Sequence, residues 1–149
     1  MLEAFARVAR FTVPFSDVDM NRHVNNVAYL RWAEQGRVDY VREILGEAIA
    51  GRRGIILRKT EIVYDRPLVL DERVAFGTRI ARIGTTSMAF VSDCCSEDAE
   101  ALCARATCTV VAFDYGAGTS RAIPEEWIRR IVAHESVAPD RSASARRAP

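Results

Sequence analysis

Four polar residues recur at every second position: Asp17, Asp19, Asn21 and His23. In an extended segment that spacing aims all four side chains to one side. A carboxylate, an amide and an imidazole converging at a helix start suit acyl-transfer hydrolysis, with the carboxylate as general base or nucleophile. The helix start adds free backbone N–H groups and a positive dipole end for a developing oxyanion. The same D-x-D-x-N opening occurs in calcium loops, but the sixth position here is Arg22 instead of Gly and the twelfth is Ala28 instead of Glu. Spacing alone leaves two other readings open: a transition-metal site from His23 with the two aspartates, and an Asx-rich turn that caps a helix without doing chemistry.

Something must hold these groups in place. Asn25 or Asn26 can cap a helix by accepting from its exposed N–H groups. That helix should run to about Leu45, with Gly46 as its stop signal. Val27, Leu30, Trp32, Ala33, Val38, Tyr40, Val41, Ile44 and Leu45 spread around much of its circumference, as expected of a buried helix. Residues 5–13 suit an edge-type strand ended by Pro14. After Gly54 the period becomes two. Val74, Phe76 and Ile80 share one face of residues 73–83. Leu102, Ala104, Ala106, Cys108, Val110 and Ala112 share one face of residues 101–113. Turns fall at 70–72, 84–85 and 97–99, and Pro124 at a first helical position with Glu125 and Glu126 opens a short terminal helix. The expectation is an α+β architecture, one long helix against an antiparallel sheet of about five strands. A single sheet must curl around such a helix, or a second copy must close its other side. Either way a dimer is expected.

The chain has 149 residues, 49% of them apolar, enough for one domain with one core. We place it at residues 1–136, followed by a flexible Ser-, Ala- and Arg-rich tail over 137–149. The net charge of +1 gives no global field to attract nucleic acid. Nearly all basic residues are Arg, with Lys59 the sole lysine, which reads as coding bias. The apolar runs fall short of the ~20 residues a membrane helix needs. The first residues lack a basic stretch leading into an apolar one, so a cytoplasmic location is expected. Cys94 and Cys95 are neighbours, and Cys103 and Cys108, five apart in a predicted strand, should point to opposite faces. With no C-x-x-C pair, all four read as reduced, packed side chains, and no metal or redox cofactor is expected.

The run D-x-D-M-N-x-H-V-N-N-V-x-Y-L-x-W-x-E over residues 17–34 resembles the hot-dog-fold thioesterases, in particular the 4-hydroxybenzoyl-CoA thioesterase-like branch. It is also similar to the plant acyl carrier protein thioesterases, which share D-x-N-x-H-V-N-N. The likeness covers about residues 8–133. Tyr64-Asp65-Arg66-Pro67 resembles the family's Y-x-R-P-x-x-x-G-D segment, and the hairpin at Arg82–Ser87 also fits. The resemblance implies a hot-dog fold: a long central helix wrapped by a curved antiparallel sheet. It implies hydrolysis of an acyl-CoA or acyl carrier protein thioester, with the acyl chain in a channel at a dimer interface. The assembly would be a homodimer or a dimer of dimers.

Residue by residue, Asp19 matches the catalytic carboxylate of the 4-hydroxybenzoyl-CoA branch. Asn21 and His23 match the network of the plant enzymes. The Asn26 N–H matches the amide that polarises the thioester carbonyl, and Asp17 matches a structural acid bonding nearby backbone. Asp19 either attacks the carbonyl or activates water. Arg58 and Lys59, in a basic cluster with Arg52 and Arg53, would contact the phosphates of coenzyme A, as would Arg82 near the turn residue Thr85. Solvated loop charge is the plainer account of that cluster. Glu34 and Arg37, one turn apart, read as a helix-face ion pair, with Glu34 as a second catalytic carboxylate the alternative. Trp32 and Tyr29 read as core, and His134 as a surface residue. Competing functions are a non-catalytic acyl-CoA-binding hot-dog module and a hot-dog dehydratase or hydratase.

Overall fold

The computed structural model describes residues 1–46 and 52–141. The Asn25 side chain accepts from the Val27 N–H at 2.9 Å and starts α1, Asn26–Tyr40. The helix continues through a wider π-helical turn, Val41–Leu45, and stops at Gly46, whose φ of 69° is the left-handed cap that glycine tolerates. The strands are β1 (Arg7–Thr12), β2 (Arg53–Tyr64), β3 (Arg73–Ile83), β4 (Ser87–Ser96), β5 (Ala101–Asp114) and the short β6 (Thr119–Ser120). All pair antiparallel in one sheet ordered β1-β3-β4-β5-β2, with β6 beside β5. Register shifts at Arg58, at Ala81 and opposite Cys94/Cys95 bend the strands. The sheet therefore curls around α1. This is the expected α+β hot-dog architecture, with one more short strand.

Two apolar clusters fill the space between helix and sheet. Val13, Ala28, Tyr29, Ala33, Leu68, Phe76 and Ala104 pack around the start of α1. Tyr40, Ile44, Leu45, Phe90, Val110 and Ala112 pack around its end, closed by Trp127 and Ile131 of α2, Glu125–His134. Burying a side chain of that size contributes about 2–3 kcal/mol. Pro124 stands one position earlier than expected, as the N-cap of α2. The alternation in β5 is as expected from Ala104 to Ala112.

Two expectations need correction. The helix is not buried all round: Ala28, Tyr29, Ala33, Gly36 and Tyr40 face the sheet, while Val27 and Leu30 are 49% and 41% exposed. The sheet curls around only part of its circumference. Cys103 does not point away from the face that holds Cys108. The bulge leaves it between Ala104 and Leu102 without a partner on β4, and it turns inward toward Tyr29. All four cysteines are free and buried, and burial pushes the Cys94 and Cys95 thiols up. Beyond α2, Asp140 pairs through its backbone with Ala81 and Ile83 at 2.9 and 2.8 Å. Residues 142–149 of the expected tail lie outside the described residues. No described helix is long and apolar enough to cross a membrane.

Candidate active site

The segment carrying Asp19 is not extended. After the 3-10 turn Phe15–Asp17 the chain folds back on itself, with Val18 bridging Val24. The Asp19 N–H donates to the His23 carbonyl at 2.8 Å, and the Arg22 N–H donates to the Asp19 carbonyl at 3.0 Å. The Asn21 N–H donates to Asp19 Oδ1 at 2.7 Å. Arg22 has a φ of 63°. These bonds close a three-residue hairpin: a turn followed by one residue in the left-handed region. The row of four side chains on one side therefore breaks up. Asp17 is buried, Asp19 half-buried, and Asn21 and His23 exposed.

Asp17 keeps a structural place, but its carboxylate reaches side chains of α1 instead of nearby backbone. Oδ2 accepts from Trp32 Nε1 at 3.0 Å and Oδ1 pairs with Arg31. Its carbonyl, by contrast, accepts from the Asn25 N–H at 2.8 Å. The loop is thus pinned to α1 at both the cap and the second turn.

Asp19 and the first residue of the helix, Asn26, line one open cleft of about 430 Å³ with Tyr29, Tyr64, Arg66 and Pro67. The Asn26 N–H belongs to the first turn, whose amides have no carbonyl within the helix. The Tyr64 hydroxyl donates to the Asn26 carbonyl at 3.4 Å. Burial, helped by the neighbouring Cys94 and Cys103, pushes the Tyr29 phenol far up, so it stays neutral. Burial opposes ionisation of Glu72. Hydrogen bonds from Ser96, the Val69 N–H and Arg66 outweigh it and hold the carboxyl below its ordinary range. That anchors Arg66 at the cleft wall, 2.5 Å from Glu72. On its other side Asp19 borders an apolar hollow of Phe15, Val18, Met20, Val69 and Leu70. A carboxylate, a helix-start amide and apolar walls can together bind and hydrolyse an activated acyl group. Tyr64 and Arg66 escaped the residue-level reading. Their only signal was the Tyr64–Pro67 resemblance.

The remaining candidates are not brought to Asp19 within one chain. Arg58 is exposed at the bulge of β2, and Lys59 pairs with Glu61 at 2.6 Å. Arg82 and Thr85 lie at the opposite end of the fold, where Asp140 and Ile123 pack. Glu34 and Arg37 do not form the expected pair: Glu34 is exposed, and Arg37 is buried and donates to Cys108 Sγ at 3.2 Å. Trp32 is half-buried, Tyr29 buried and His134 exposed. No described group of three or more His, Cys, Asp or Glu residues is arranged to hold a metal.

Residues 13–132 match the family model of the thioesterase-like superfamily. No curated protein matches the chain. Among solved structures, a protein from Pseudomonas aeruginosa is 25% identical over 92% of this chain and 96% of its own, with a TM-score of 0.81. A thioesterase from Thermus thermophilus, complexed with coenzyme A and Zn, is 26% identical over 91% and 98%, with a TM-score of 0.79. A 1,4-dihydroxy-2-naphthoyl-CoA thioesterase from Synechocystis, 15% identical over 83% and 93%, shares the fold with a TM-score of 0.72.

Proposed function

The chain belongs to the thioesterase-like superfamily, and from that we propose that it hydrolyses an acyl-CoA or acyl carrier protein thioester to a free acid and a thiol. One observation carries the reading: the half-buried Asp19 carboxylate shares a cleft with the first amide of α1. The thioester oxygen lies at the Asn26 N–H, where the positive end of the helix stabilises the charge that develops on it. Asp19 then works in one of two ways. As nucleophile, its oxygen bonds the acyl carbon, the C–S bond breaks, and water hydrolyses the resulting anhydride. As base, it takes a proton from water as that water attacks. The tetrahedral intermediate expels the thiolate, which takes up the proton. Asn21 and His23 flank Asp19 on the same hairpin and would position the water.

The acyl group fits the apolar side of Asp19, and the coenzyme phosphates would meet Arg58, Lys59, Arg82 and Thr85 where a second copy of the chain brings them toward that cleft, because a single chain does not. The coenzyme A complex of the Thermus relative supports that substrate class. Four buried, unpaired cysteines fit a cytoplasmic setting.

The test is thiol release from a panel of short, long and aromatic acyl-CoAs. Asp19→Asn should lower turnover by roughly 10³-fold with an unchanged melting temperature. No release above background from any substrate would reject the reaction. Near-normal turnover in Asp19→Asn together with none in His23→Ala would reject the assignment of the carboxylate.

A further inference from the structure

Asp19 borders two hollows of opposite character. On one side Phe15, Val18, Met20, Val69 and Leu70 give apolar walls. On the other lies the cleft that Asp19 shares with Asn26, Tyr64 and Arg66. Under the reaction proposed above, on which this inference rests, the acyl carbon stands where the two hollows meet, with its oxygen at the Asn26 N–H. The acyl group takes the apolar side. The C–S bond must then point the other way, into the cleft.

Among the described residues that line this cleft, Arg66 is the one cation. It is fixed from behind. Its Nη1 donates to Glu72 Oε1 at 2.5 Å and lies 3.7 Å from Cys103 Sγ. The Glu72 side chain is 5% exposed, and it also accepts from the Ser96 hydroxyl and from the Val69 N–H at 3.0 Å. The carboxylate that grips the guanidinium is therefore itself immobilised. Nε and Nη2 of Arg66 have no acceptor among the described residues, and the side chain is 38% exposed. Asp19 and Asp65 line the same cleft, yet neither forms an ion pair with it among the described residues. A guanidinium held through one nitrogen and open at two others is a preorganised donor for charge that appears during a reaction.

We propose that Arg66 is a catalytic residue that binds the departing thiolate. In the base route Asp19 takes a proton from water as the water oxygen bonds the acyl carbon. In the nucleophile route the Asp19 oxygen makes that bond. In both, the electron pair of the breaking C–S bond leaves on sulfur, which accepts a hydrogen bond from Arg66 Nε or Nη2. Arginine keeps its proton, so it stabilises the thiolate without protonating it. The thiolate takes its proton from Asp19 in the first route, and from the water that opens the anhydride in the second.

Three thioesters of one acyl group test this: the coenzyme A, N-acetylcysteamine and nitrothiophenyl esters. The first two release alkyl thiols, the second of them without phosphates. The third releases a far more acidic thiol, which leaves without help. Arg66→Gln should lower kcat/KM about 10²-fold on both alkyl thioesters, as expected for one lost donor to developing charge. On the nitrothiophenyl ester the loss should stay below about 3-fold, because little charge on sulfur then needs stabilising. A loss confined to the coenzyme A ester would make Arg66 a phosphate contact. Equal losses on all three would make it structural or a donor to the acyl oxygen. Either pattern, or wild-type kcat/KM throughout, overturns the proposal and leaves the thioesterase reading standing. No thiol release by the wild type above the spontaneous rate from any of the three rejects that reading and the role of Arg66 with it. If melting shows that Arg66→Gln does not fold, the double variant Arg66→Gln with Glu72→Gln removes the stranded buried charge as well, and the same comparison is made with it.

Discussion

Asp17 and Asp19 are separated by one residue, yet Asp17 is 7% exposed and held by Arg31 and Trp32, while Asp19 opens onto a cleft. Burial and partners make Asp17 a strut and leave Asp19 open as the group we propose to be reactive. The Arg31 side chain is 56% exposed, so solvent screens most of what that ion pair contributes. The Trp32 indole is different, because losing its acceptor leaves a half-buried N–H unsatisfied. Asp17→Ala should therefore destabilise the fold by about 1–3 kcal/mol, read from urea unfolding. Asp19→Asn should leave that unfolding curve where it is. Reversed results would mean that the structural and reactive roles belong to the other residue of the pair.

The elements follow from local rules where local rules decide them. Asn25 caps α1 and Gly46 ends it, as their side-chain chemistry and backbone freedom require. The period-two pattern from Ala104 to Ala112 is a strand with one covered face. The hairpin at 18–24 was beyond such reasoning. Its fold depends on backbone bonds between Asp19 and His23 and on Arg22 in a conformation that arginine rarely adopts. Alternation of polar residues cannot reveal either. The inward turn of Cys103 was hidden for the same reason, since a bulge resets the parity of the strand. The exposure of Val27 and Leu30 depends on how far the sheet curls, a tertiary property that helix periodicity does not carry. The start of α1 offers a clean test. Proline is tolerated at the first helical position, where its missing N–H breaks no helix bond, and Asn25 already has the extended conformation that a following proline demands, with φ −61° and ψ 137°. Asn26→Pro should fold and lower kcat roughly 10²-fold. A folded variant with wild-type kcat would show that this amide takes no part in catalysis.

Across the whole molecule, Glu135 ties the distant parts together. Its Oε1 accepts from the Tyr40 hydroxyl at 2.6 Å and from the Ile80 N–H at 2.7 Å, joining the end of α2 to α1 and β3. Burial pushes its carboxyl above the ordinary range, and the bonds from Tyr40 and Ile80 and the charges of Arg79 and His134 only partly offset this. A carboxyl raised in the folded state contributes stability that is complete below its unfolded pKa and is lost as pH rises through the folded value. The melting temperature of the wild type should thus fall from mildly acidic toward neutral pH. Glu135→Gln, which keeps a neutral acceptor, should flatten that part of the profile. Parallel profiles for the two proteins would show that this group does not set the dependence. The four cysteines have a practical meaning of another kind. They lie in the two apolar clusters or along β4, with the Cys94 and Cys95 thiols held in their unreactive protonated form. The folded protein should therefore be silent to a thiol-reactive dye used to count the thiol that the reaction releases. Any labelling of the chain itself becomes a clock for how often it opens.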